Sequence, residues 1–130
     1  MIGFHYKNEA AFSKAVVQTM RKYGWFVQRI ETGALGRGVP DIYAIDRKGT
    51  PCWIELKRIH REVWSEVTVP WRPGQQGWLR EVTRRRQKAF TIACCDNLIL
   101  VIKHNKIYPD NYVRRSDWVE YTFLRDVFAE

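Results

Sequence analysis

Residues 38–57 read Gly38-Val39-Pro40-Asp41-Ile42-Tyr43-Ala44-Ile45-Asp46-Arg47-Lys48-Gly49-Thr50-Pro51-Cys52-Trp53-Ile54-Glu55-Leu56-Lys57. Asp41 to Ile45 and Pro51 to Lys57 are rich in β-branched, aromatic and apolar residues. The polar run Asp46 to Thr50 between them is a turn signal, so the stretch predicts a β-hairpin. Side chains alternate along a strand. Trp53, Glu55 and Lys57 therefore share one face, as do Asp41, Tyr43 and Ile45. A five-residue loop pairs Ile45 with Pro51, Tyr43 with Trp53 and Asp41 with Glu55. A four-residue loop would set Ile54 opposite Asp41 instead.

In the first register two carboxylates face each other about 5 Å apart, which is unfavourable without a cation between them. A hard divalent cation meets that need, since magnesium takes a few carboxylates together with water and phosphate oxygens. Lys57 adds a positive charge on the same face. Phosphodiester hydrolysis uses such a set: a metal to make hydroxide from water, and a cation to stabilise the transition state. A solvated strand face would explain Glu-x-Lys alone. The whole pattern from Gly38 to Lys57 is much rarer.

Outward from the hairpin, Asn8 to Tyr23 predicts a helix with Asn8 as N-cap, Gly24 as its stop, and Phe12, Val16, Met20 and Tyr23 on one face. Glu9 precedes Phe12 by three and Val16 by seven, so it falls on that apolar face, where a bare carboxylate is costly. A simple dipole contact at the helix start is the other reading. Trp25 to Ile30 reads as a strand and Gly33 to Gly38 as a glycine-rich loop. Arg58 to Gly74 reads as a long ordered loop or a partly extended segment, in which Trp64 and Trp71 either stack on bases or pack beneath it. Gln75 to Arg86 reads as a helix, with Gln75 on the inward side of Trp78 and Leu79 and so in need of hydrogen-bond partners. Phe90 to Cys94 and Leu98 to Ile102 read as strands. Trp118, Tyr121, Leu124 and Phe128 recur at helical spacing and predict a C-terminal helix from Asp117 to Phe128. The order αβββαββα is that of an α/β fold, a mixed sheet between helices.

With 130 residues the chain is expected to be one domain, a core of about 8–103 and an extension of 104–130. Hydrophobic residues make up 45%, which argues against disorder. The net charge of +8 suits a polyanionic partner. Cys52, Cys94 and Cys95 have no zinc-site spacing, and the adjacent pair suits a disulfide poorly, so reduced thiols are expected. No signal peptide or membrane span is legible, and a cytoplasmic protein is expected. His5, His60 and His104 receive no role.

The quoted hairpin, the helix carrying Glu9, Gly24-Trp25-Phe26-Val27, the glycine loop and Gln75-Gln76-Gly77-Trp78 together resemble the PD-(D/E)XK nuclease superfamily. Within it, the virus-type replication–repair nuclease (VRR-NUC) domains and archaeal Holliday junction resolvases are most similar. The resemblance runs from Asn8 to about Ile102. It implies a restriction-endonuclease-like αβββαβ core with a central mixed sheet flanked by helices, here with a short C-terminal helix. It implies that Asp41, Glu55 and the Leu56 carbonyl bind Mg2+, with Mn2+ able to substitute. Lys57 would assist the nucleophile, Glu9 would complete the metal shell directly or through water, and Gln75 would support it. Expected DNA contacts are Thr32, Arg37, Arg58, Arg61, Arg72, Arg84, Arg85, Arg86 and Lys88. The activity implied is a structure-selective DNA endonuclease on branched DNA, working as a homodimer, with a phage or mobile-element setting. The alternatives are flap, nick, single-strand or duplex cleavage, action on RNA, or nucleic-acid binding without catalysis.

Overall fold

The computed structural model describes residues 6–30, 38–59 and 65–129. The elements follow as α1 (Glu9–Lys22), β1 (Phe26–Arg29), β2 (Ile42–Ile45), β3 (Pro51–Ile59), β4 (Glu66–Thr68), α2 (Gln75–Arg84), β5 (Lys88–Cys95), β6 (Leu98–Lys103), β7 (Tyr112–Arg114), β8 (Trp118–Tyr121) and α3 (Leu124–Phe128). The main sheet has the order β1-β2-β3-β5-β6-β8, and β4 pairs with β7 in a separate ribbon. β3 and β5 run parallel, joined through α2, while the other neighbours are antiparallel. The predicted α/β class, with a mixed sheet, flanking helices and a short C-terminal helix, is the observed one.

Local chemistry explains the starts and turns. Asn8 is extended and its Oδ1 accepts from the Ala11 amide at 2.8 Å, so it caps α1 as expected. In the β2–β3 turn, Asp46 Oδ1 accepts from the amides of Lys48 and Thr50, each at 2.9 Å. The register Ile45↔Pro51 and Tyr43↔Trp53 is that of the five-residue loop. Alternation along β3 then divides the molecule. Cys52, Ile54 and Leu56 join Phe12, Val16 and Met20 of α1 and Leu124 and Phe128 of α3 in one core. Trp53, Glu55 and Lys57 face the other way, toward α2. Ile59 packs on that side with Val69, Trp71, Leu100 and Tyr108.

Of the two readings of Arg58 to Gly74, the partly extended one is observed: β3 continues to Ile59, and Glu66–Thr68 forms β4 against β7. One expectation needs correction, because the tail is not one helix from Asp117. Trp118–Tyr121 is a strand on β6, and only Leu124–Phe128 is helical. An unpaired edge of β6 offers a row of amides and carbonyls, and Trp-Val-Glu-Tyr has the branched and aromatic content that suits a pleated surface. All three cysteines are buried. No helix among the described residues is long and apolar enough to cross a membrane.

Candidate active site

One further step of the β2–β3 register sets Asp41 opposite Glu55. Asp41 is held there by its backbone, whose carbonyl accepts from Ile30 at 2.8 Å, and by its side chain, whose Oδ2 accepts from the Leu56 amide at 2.8 Å. Glu55 is only 2% exposed. Its Oε2 lies 3.3 Å from Lys57 Nζ and accepts from Gln75 Nε2 at 3.0 Å. Lys57 and Gln75 are also buried. Asp41, Glu55, Lys57 and Gln75, scattered over three elements, thus meet on one face of the sheet.

The charges are costly where they stand. Burial, and after it the nearby charge of Asp41, raise the Glu55 carboxyl to about 7 against the opposing pull of Lys57 and Arg72. Asp41 is also raised by burial, against the opposing Leu56 amide and the charges of Lys57, Arg72 and Arg29. The other Glu55 oxygen, Oε1, is buried without a hydrogen-bond partner among the described residues. A buried acceptor without a partner, near enough to a second carboxylate to feel its charge, has the chemistry of an oxygen donor to a hard cation. Among the described residues no cluster of three or more acidic, histidine or cysteine side chains forms. Two carboxylates without histidine or cysteine fit magnesium chemistry better than zinc.

Gln75 is delivered by a contact between two glycines. Gly38 and Gly74 both have positive φ, +82° and +91°. A Cβ on Gly38 would lie 2.4 Å from the Gly74 carbonyl oxygen, so only glycine lets the Asp41 loop close on the start of α2. Gln75 Oε1 then accepts from the Arg72 amide at 2.8 Å. Tyr43, Trp53 and Trp78 line the same face as an aromatic row, with ring centroids 4.6 and 4.7 Å apart.

Other expected residues lie elsewhere. Glu9 is exposed in the first turn of α1, not turned inward, and its charge is felt by Cys94, whose strand neighbour Ile92 points into the α1 core. Arg58 lies on the α1 side as well, its Nε donating to the Tyr6 carbonyl at 3.1 Å. Arg84 and Arg85 pair with Glu81, and Lys88 pairs with Asp46 at 2.9 Å. These arginines end α2, whose start carries Gln75, about 15 Å away at 1.5 Å per residue. Arg86 is exposed with a left-handed φ of 65°. Thr32, Arg37, Arg61, Trp64, His5 and His60 lie outside the described residues. Trp71 packs, only 5% exposed.

Thr91 and His104 are polar residues of this face that the sequence reading passed over. Thr91 is the β5 partner of Glu55, fully buried, and its hydroxyl meets Trp71 Nε1 at 2.9 Å and His104 Nε2 at 2.8 Å. A polar residue inside the run Phe90-Thr91-Ile92-Ala93 was the available signal. A cavity of about 820 Å³ on the other side of the sheet, lined among others by Trp25, Ile54, Phe90, Val101 and Tyr121, contains none of the four clustered side chains.

No protein-family model and no curated protein sequence matches the chain. A solved structure does: Hjc from Archaeoglobus fulgidus, described as a Holliday junction resolvase from an archaeal hyperthermophile. The two share 15% identity and superpose with a TM-score of 0.60 over 90% of this chain and 98% of that one. At that identity the likeness establishes a common fold.

Proposed function

We propose that the chain is a divalent-metal-dependent nuclease that hydrolyses phosphodiester bonds in DNA, with branched DNA as its substrate. One observation carries the reading: Asp41, Glu55, Lys57 and Gln75 converge, and Glu55 Oε1 is buried without a hydrogen-bond partner among the described residues. The fold shared with a junction resolvase and the net charge of +8 favour the same reading.

Asp41 and Glu55 would hold Mg2+ or Mn2+, with the Leu56 carbonyl as a further oxygen donor. The ion would supply activated water and charge neutralisation at phosphorus. Lys57, held by Glu55 Oε2, would offer its ammonium to orient the attacking water and to stabilise the charge that develops at phosphorus. Gln75 fixes the Glu55 carboxylate by donating to Oε2, which leaves Oε1 directed away from Gln75. The Leu56 amide fixes Asp41 in the same way. Glu9, exposed at the start of α1, is a ligand in this scheme only through water or substrate. Two symmetric cuts in a four-way junction require a twofold dimer.

Incubation with Mg2+ or Mn2+ and labelled four-way junction, flap, duplex and single-stranded DNA tests this. Paired junction cuts, abolished by Asp41→Ala and by Lys57→Ala in folded protein, are expected, with a dimer in sedimentation. Cleavage of the other substrates alone would replace branched DNA in the reading. Equal cutting by the parent and both variants would refute the site.

A further inference from the structure

Arg72 is exposed, yet the segment that carries it is anchored on several sides. Beneath it, Trp71 donates its indole N–H to Thr91 and stacks on Tyr108 with centroids 5.7 Å apart. Toward the site, the Arg72 amide bonds to Gln75, which in turn bonds to Glu55. The backbone of residue 72 is therefore one side chain removed from the buried carboxylate.

The C-terminal part of the chain holds the third side. Asn111 Nδ2 donates to the Trp71 carbonyl at 2.8 Å, and its Oδ1 accepts from Gln76 Nε2 at 2.9 Å. The Asn111 carbonyl accepts from the Val69 amide at 2.9 Å. Asp110 and Asn111 are both left-handed, with φ of 57° and 62°. That conformation costs an L residue about 1–2 kcal/mol, so these bonds hold a strained turn against the Arg72 segment. A cleft of about 410 Å³ opens between Arg72, Gly74, Gln76 and Asn111.

From this brace the guanidinium emerges without an ion pair or side-chain hydrogen bond among the described residues. Its charge is nevertheless felt by both Asp41 and Glu55. An arginine beside two carboxylates that pairs with neither keeps its planar fork free for a third anion. Phosphate matches that fork in two parallel hydrogen bonds, which lysine cannot reproduce.

We propose that Arg72 is a catalytic residue that takes the non-bridging oxygens of the scissile phosphate, and that Asn111 is a positioning residue that holds Arg72 in place. This rests on reading the site as a phosphodiesterase. It gives the segment before α2 and the C-terminal ribbon a common purpose.

The test compares parent, Arg72→Ala, Arg72→Lys, Asn111→Gly and the Arg72→Ala/Asn111→Gly double variant, each checked by urea unfolding. Glycine keeps the left-handed backbone and removes only the gripping side chain. Two readouts are taken: steady-state cleavage of labelled four-way junction in Mg2+, and the salt dependence of affinity for the same DNA in chelator. Arg72→Ala is expected to lower kcat about 100-fold with a smaller change in KM, partly restored by free guanidinium, with Arg72→Lys between. The slope of log affinity against log salt falls by about one. Asn111→Gly lowers kcat in the parent and adds little to Arg72→Ala, because the two act as a unit. If the parent cuts and Arg72→Ala cuts equally well, the inference is wrong and the nuclease reading stands. If the parent cuts nothing, the catalytic role falls with that reading. The salt slope alone then decides whether Arg72 meets phosphate, and an unchanged slope refutes that too.

Discussion

Glu55→Gln should stabilise the metal-free protein, and only above acid pH. The folded carboxyl is held up to about 7, against an ordinary value of 4.5. Below pH 4.5 it is protonated in folded and unfolded chains alike, and parent and variant differ by nothing on this account. Between 4.5 and about 7 the unfolded chain gives up its proton first, so the parent loses stability across the interval. At 1.36 kcal/mol per pKa unit the whole loss is at most about 3 kcal/mol. Glutamine keeps an acceptor for Gln75 and has no proton to lose, so it escapes this penalty. Asp41 is raised in the same direction and His104 lowered, but both remain in the variant and cancel in the difference. The assay is urea unfolding of both proteins in chelator at half-unit steps from pH 4 to 8.5. The expected difference is near zero at pH 4, grows through 7, and is flat above. Mg2+ should then close the gap by stabilising the parent, since only the parent keeps the second carboxylate. A difference that does not change with pH, or that shrinks as pH rises, would show that Glu55 does not carry a burial penalty.

Gly38→Ala combines a left-handed backbone with a 2.4 Å collision against the Gly74 carbonyl, and should cost about 2–4 kcal/mol in urea unfolding. Gly49→Ala has the same kind of φ in open space and should cost only about 1 kcal/mol; equal losses would mean the glycine contact does not matter. His104 is held down to about 4 by burial, so its contribution is full above pH 6.5 and lost as pH falls through about 4. Its ring resonances should stay fixed from pH 8 to 5.5 by NMR, and a midpoint near 6.5 would contradict that burial. Trp71→Phe removes the donor to Thr91 and should cost about 1 kcal/mol in urea unfolding, with no loss if the bond is immaterial.

The hairpin and its carboxylates were legible because every signal was local: alternation, a polar turn, and Asp46 to close it. Gln75 was legible because a polar residue on an apolar helix face needs a partner. Glu9 was misread for a related reason. Helical spacing fixes the side of the helix on which a residue lies, not whether another layer covers that turn. β4 and β7 were invisible because Glu66 finds Arg114, a partner no local window contains. The tail misled because Trp118, Leu124 and Phe128 are all buried, so a strand followed by a short helix copied the spacing of one helix. Arg72 could be named as a cation, but its place beside the site depends on how Trp71 and Asn111 anchor an irregular segment.

The Trp25 indole donates to the Phe128 carbonyl at 3.3 Å, and the two rings meet edge to face at 5.5 Å. This clasp joins positions near opposite ends of the described chain, one directly ahead of β1 and the other in α3. During synthesis, then, Trp25 leaves the ribosome long before Phe128 exists. The first core must wait, partly uncovered, while the intervening strands are made. Contacts of such separation close late and slow folding. A stall or cleavage ahead of Trp118 would leave β6 with a bare edge and a hydrophobic layer short of Leu124 and Phe128, a species fitted for self-association rather than for closing its core.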